Sequence, residues 1–104
     1  MSTFSIYQLA TPNIDAYAKY SVASVKAYCE IHGYESFVQR EKMIDDMHIN
    51  WSKIAMMIES LEQSKSDYLV LLDADTVIVN WKVKLEKMLP KPDQVISFAR
   101  DNYF

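Results

Sequence analysis

Asp73 and Asp75 stand one residue apart at the end of the apolar run "YLVLL", residues 68 to 72. On extended backbone, residues i and i+2 point to the same side, about 6.6 Å apart along the strand. Two carboxylates so placed repel, and partial burial raises the cost of keeping both ionised. A hard divalent cation offsets that cost. Mg²⁺ and Mn²⁺ take oxygen ligands in octahedral geometry and complete the shell with water and substrate phosphates. The spacing therefore points to a metal that bridges the protein to a diphosphate. The structural alternative is a helix cap or a loop rim, the common use of an Asp-x-Asp triplet.

The surrounding elements have to bring these acids to a usable place. Residues 3 to 9, "TFSIYQL", are rich in β-branched and aromatic side chains and read as a strand. "ATPN" breaks it, and Asn13 is positioned to cap a helix over residues 14 to 32. In that helix Ile14, Ala18, Ser21, Val22, Val25, Tyr28 and Cys29 follow the helical period, and Gly33 stands where a C-terminal glycine cap belongs. "YESFVQ", residues 34 to 39, is a second strand, and "REKMIDDMH" reads as a loop or a turn of helix.

A second helix starts near Asn50, with Trp51, Ile54, Ala55, Ile58 and Leu61 as its buried stripe. Tyr68 to Leu72 do not alternate, so this third strand is expected at the centre of a parallel sheet covered on both faces. "TVIVN" is a short extended piece. "WKVKLEKML" is a short amphipathic helix stopped by Pro90 and Pro92, and "QVISFA", residues 94 to 99, is a fourth strand. The order gives one α/β domain over residues 1–104: an open, mainly parallel sheet of about four strands, helices on both faces, right-handed crossovers. In such sheets ligands bind beyond the carboxyl ends of the strands, where Asp73 and Asp75 lie.

Composition narrows the partners. The chain has 104 residues, half of them apolar, and a net charge of −3. No basic block recruits nucleic acid or an anionic membrane. The N-terminus carries no basic region followed by a long apolar run, and no stretch is long enough to span a bilayer, so a cytoplasmic location is expected. Cys29 is the single cysteine, which excludes an intrachain disulfide. Gly33 is the single glycine, which excludes the glycine-rich loops of Walker and dinucleotide sites. A short open sheet with uncovered edges also invites a homo-oligomer.

Two families use this local acidic pattern. Asp73, Asp75 and Val77 match the nucleophile motif of haloacid dehalogenase-type phosphatases, but there the motif closes the first strand, and a lysine and an acidic pair follow it. Here two strand–helix units precede it. The chain resembles more fully the nucleotide-diphospho-sugar glycosyltransferases of the GT-A fold. "ATPNIDAYAKYSVASVKAYCEIHGYESFV" is similar to their opening, and "NWSKIAMMIESLEQSKSDYLVLLDADTVIVN" to the helix and Asp-x-Asp segment of galactosyl- and mannosyltransferases.

The resemblance implies a metal-dependent glycosyltransferase that takes a UDP-sugar, or a GDP-sugar, and Mn²⁺ or Mg²⁺. It implies Asp75 as the principal metal ligand, Asp73 as a ribose and metal partner, and Ala74 presenting backbone to the donor. It places Ala10 and Thr11, with Pro12 beside them, at the nucleobase, and Lys53 at the diphosphate, where a cation offsets phosphate charge. Asp101 is a catalytic candidate after the fourth strand. Arg40, Tyr17 and Tyr20 are further base or phosphate candidates whose other readings are a solvated arginine and rim aromatics. His32, beside Gly33, reads as a helix-end partner, and Met56 and Met57 as core filler. Family members also carry an acceptor-binding half with an Asn-x-Gly-type segment and often a late histidine, for which this chain shows no counterpart. That leaves a non-catalytic sugar-nucleotide-binding module as the alternative and a phosphatase third. The acceptor stays unassigned.

Overall fold

β1 (Phe4–Leu9), β2 (Glu35–Gln39) and β3 (Tyr68–Leu71) form a three-stranded, all-parallel sheet in the order β2-β1-β3. A computed structural model describes residues 3–41, 48–89 and 93–94. The α/β class and the parallel pairing agree with the sequence. The fourth strand, residues 94 to 99, falls almost wholly outside the described residues.

Among the described residues β1 is the central strand. It pairs with β2 from Ser5↔Glu35 to Leu9↔Gln39 and with β3 from Phe4↔Tyr68 to Tyr7↔Leu71. Burial follows from that order. β1 is buried at every position but Tyr7, whereas all of β3 is half-buried. The unbroken apolar run of β3 has β1 as its one paired neighbour among the described residues, and the segment expected as a further strand lies almost wholly outside them. The more mixed "FSIYQL" is central because its polar members, Ser5 and Gln8, are satisfied by side chains rather than water.

α1 (Asp15–His32) follows a 3₁₀ turn at Pro12–Ile14. Asn13 lies inside that turn. Ile14 occupies the N-cap with no side-chain bond, so the expected Asn13 cap does not form. Pro12 explains this: its fixed φ suits the first position of the turn, which starts the winding early. α1 lies over the sheet face that carries Ile6, packing Val25, Tyr28 and Cys29 against it. Fully burying side chains such as Ile6 and Val25 contributes about 1.5–3 kcal/mol each. The helix ends at Gly33, whose φ of 75° is left-handed and whose N–H reaches the Cys29 carbonyl, as the sequence requires.

α2 (Ile49–Gln63) turns a different face inward from the one expected. Ser52, Met56 and Ser60 are buried, while Trp51, Ile54, Ile58 and Leu61 are 46–65% exposed. The small serines let the helix approach the sheet closely, which rotates the bulkier stripe outward. Ser60 satisfies its hydroxyl on the Met56 carbonyl at 2.6 Å.

Beyond β3 the chain stays on the α1 side. Residues 76–80 join no strand, and residues 81–89 form a turn followed by a 3₁₀ segment, Leu85–Met88, in place of the expected helix. Side chains hold this strap. Tyr28 and Tyr34 donate to the Val83 carbonyl and to Glu86, and His32 Nε2 meets the Trp81 carbonyl at 2.6 Å.

Candidate functional site

The carboxyl ends of β1 and β3 lie side by side, because parallel pairing runs both strands to the same edge. The last ladder bond is from the Leu72 N–H to the Tyr7 carbonyl, 3.1 Å. The chain then turns at Ala74 and Asp75. Thr76 closes that turn on the Asp73 carbonyl through its N–H at 3.4 Å and its hydroxyl at 2.8 Å. The extended i, i+2 geometry expected for the two acids is thus replaced by a turn, and strand alternation does not set their directions.

The two acids differ. Asp73 accepts an ion pair from Lys53 Nζ at 2.8 Å, with both side chains partly in solvent. Asp75 is exposed and makes no hydrogen bond or ion pair among the described residues. Lys53 belongs to the first turns of α2, which start at the same edge of the sheet. Sequence positions 20 residues apart are joined there.

Ala74 is buried, packed with Ala10 and Ala18 in a small cluster bordered by Ile14, Val22 and Val38. Ala10 directly follows β1, and its N–H prolongs the β1–β2 ladder to the Gln39 carbonyl at 2.9 Å. Three methyl groups at this junction let α1, the end of β1 and the turn approach closely. Thr11 is half-buried and donates its hydroxyl to Asn13 Oδ1. The structure therefore gathers Ala10 with Ala74, and Lys53 with Asp73, at one edge, with Thr11 beside Ala10.

Other candidates lie apart. Arg40 bonds Asp15 at 2.6 Å across the ends of β2 and α1. Tyr17 and Tyr20 are more than half exposed. His32 is held in the strap at the far end of α1, stacked on Tyr34. Asp101 lies outside the described residues. A groove of about 490 Å³ runs between α2 and β2, lined by Tyr7, Phe37, Met56 and Glu59 among others. None of Lys53, Asp73, Ala74 or Asp75 lines it, so it is separate from the acidic edge.

Gln8 and Ser21 were not among the sequence candidates, yet they underlie the site. Both are 1% exposed, and Gln8 Nε2 donates to Ser21 Oγ at 2.9 Å. Their signal was a polar residue in a strand of apolar neighbours and a serine inside a buried helical stripe.

The donor set fits a hard divalent cation of the open kind. Two carboxylates at one turn, Asp75 making no hydrogen bond or ion pair among the described residues, would leave the remaining positions to water and phosphate oxygen, the usual arrangement for Mg²⁺ and Mn²⁺. No group of three or more His, Cys, Asp or Glu that could hold a metal occurs among the described residues.

The model of the galactosyl transferase GMA12/MNN10 family matches residues 2–103. The fold is similar to a crystal structure of a glycosyltransferase involved in the glycosylation of the major capsid of PBCV-1, with a TM-score of 0.69 and 17% identity. That likeness covers 88% of this chain and 47% of the other, so the chain spans less than half the length of that solved relative. No curated protein matches the chain.

Proposed function

The chain belongs to the galactosyl transferase GMA12/MNN10 family, and from that premise we propose that it grips the donor of a metal-dependent glycosyl transfer. The donor is a nucleotide-diphospho-sugar, with UDP favoured and GDP the second choice. The observation that carries this reading is the turn Asp73-Ala74-Asp75 at the joined carboxyl ends of β1 and β3, with Lys53 on Asp73.

Asp75, without a hydrogen bond or ion pair among the described residues, holds the cation, and Asp73 shares it or contacts the ribose. Lys53 supplies positive charge from α2, and its pair with Asp73 is exposed enough to be exchanged for a phosphate oxygen. A bound Mn²⁺ or Mg²⁺ would neutralise the diphosphate as charge develops on the leaving nucleotide. Ala10 and Thr11, at the carboxyl end of β1 beside the acidic turn, border the place for the base.

Titration calorimetry with Mn²⁺ and a panel of UDP- and GDP-sugars tests this. Metal-dependent binding that Asp75→Ala abolishes is expected. An absence of binding to every nucleotide, with and without metal, overturns it. Release of UDP from a bound UDP-sugar separates a transferase from a binding module.

A further inference from the structure

One carbonyl at the acidic turn receives an unusual number of donors. The Asp73 oxygen accepts the Thr76 hydroxyl at 2.8 Å and faces Gln8 Nε2 and Ser21 Oγ, each at 3.5 Å. Gln8 is on β1 and Ser21 on α1, 65 and 52 residues away in sequence. The close contact is Gln8 Nε2 to Ser21 Oγ at 2.9 Å, and both groups carry a further hydrogen that can be directed at the Asp73 oxygen, at the long end of hydrogen-bond distance.

Placing an amide and a hydroxyl in a core of Ile, Val and Ala is costly unless each is bonded. An apolar pair of similar volume would fill the same space without that requirement. The strand does not need the donors either, since the β1–β3 ladder ends one residue earlier, at the Leu72 N–H. What they do is take the Asp73 carbonyl at the point where the chain leaves the sheet. The carbonyl is turned into the core, and Ala74 follows it under the shelter of Ala10 and Ala18. The two carboxylates on either side of Ala74 are left on the outer side of the turn, exposed.

We propose that Gln8 and Ser21 are positioning residues. From within the core they anchor the Asp73 carbonyl and so aim the side chains of Asp73 and Asp75. The functional part of this proposal rests on the reading of that turn as a metal and diphosphate grip.

Three variants of the 104-residue chain test it. Gln8→Met keeps the length and removes the donor, Ser21→Ala removes the hydroxyl, and Ser21→Thr retains it. Mn²⁺–UDP titration is read beside amide hydrogen exchange at Thr76, whose N–H lies on the Asp73 carbonyl, and at Ile6 in the central strand. Removing a residue that orients a metal ligand commonly costs about tenfold or more in affinity. That loss is expected for Gln8→Met and Ser21→Ala, with exchange accelerated at Thr76 and unchanged at Ile6, and with Ser21→Thr close to the original protein. Unchanged exchange at Thr76, or equal acceleration at Thr76 and Ile6 with no rescue by Ser21→Thr, overturns the proposal. If the original chain binds no nucleotide, the donor-binding reading fails, and the exchange comparison alone decides whether Gln8 and Ser21 set the turn.

Discussion

Lys53 and Asp73 meet at 2.8 Å with their side chains 30% and 60% exposed. An exposed pair of this kind contributes about 0–1 kcal/mol, because water screens it and two long side chains lose freedom. Lys53→Met should therefore move the unfolding midpoint in urea very little, yet weaken Mn²⁺–UDP binding and flatten its dependence on salt. A large loss of stability with binding intact would assign Lys53 to the fold instead. Cys29 gives a prediction independent of ligand. Burial pushes its thiol up from about 9 to about 11, so folding favours the protonated form. That contribution is complete below pH 9 and is lost as pH rises through about 11. Iodoacetamide should alkylate the folded chain at pH 8 far more slowly than the unfolded chain. The acids were legible in the sequence because a triplet is a local pattern. The Gln8–Ser21 anchor was not, since it forms only when β1, α1 and the turn meet.

At the scale of elements, the boundaries of β1, α1 and β2 were readable to within a residue or so, and the facing of α2 was not. Hydrophobic periodicity selects the most apolar stripe, here Trp51, Ile54, Ile58 and Leu61. The sheet accepts the stripe that fits closest, here Ser52, Met56 and Ser60. The difference is measurable. Met56→Ala should cost about 2–5 kcal/mol, as removal of buried side chains does. Ile58→Gln should stay within about 0.5 kcal/mol, as exposed substitutions do. The reverse ranking in urea unfolding would restore the stripe read from the sequence. Gly33 supplies a second test. At φ 75° a side chain meets no neighbouring atom within 4 Å, so any penalty comes from the backbone alone. Gly33→Ala should lower stability by about 1–2 kcal/mol, with the helix content of the folded state unchanged.

Across the whole molecule, parallel pairing followed from the order of elements, but strand order did not. Which strand is central depends on how βα units stack, which an apolar run by itself does not report. The strap after β3 was equally hidden, because its ties are made by Tyr28, His32 and Tyr34, far back in the chain. Its pH response follows from two opposite shifts. The Tyr34 bond holds the Glu86 carboxyl below its ordinary value, while burial and Glu86 push the Tyr34 hydroxyl up to about 12. Glu86 contributes above its unfolded value near 4.5 and loses that contribution as pH falls below it. Tyr34 contributes below about 10 and loses it as pH rises through about 12. Trp81 fluorescence, read in a Trp51→Phe background, should hold steady between those limits and change outside them. Tyr34→Phe should remove the acid-side change and speed trypsin cleavage at Lys82 and Lys84.

The place of β1 at the centre of the sheet has a consequence for synthesis on the ribosome. Of the three strands, the one that both others must join is made first. Phe4, Ile6 and Leu9 have no cover until α1 and β2 have been translated, and the second neighbour comes more than 60 residues later in the register Phe4↔Tyr68. Contacts so distant in sequence slow folding, and an uncovered apolar strand is exposed to aggregation in the interval. The same order that delivers two strand ends to one acidic edge leaves the nascent chain dependent on how soon its later half arrives.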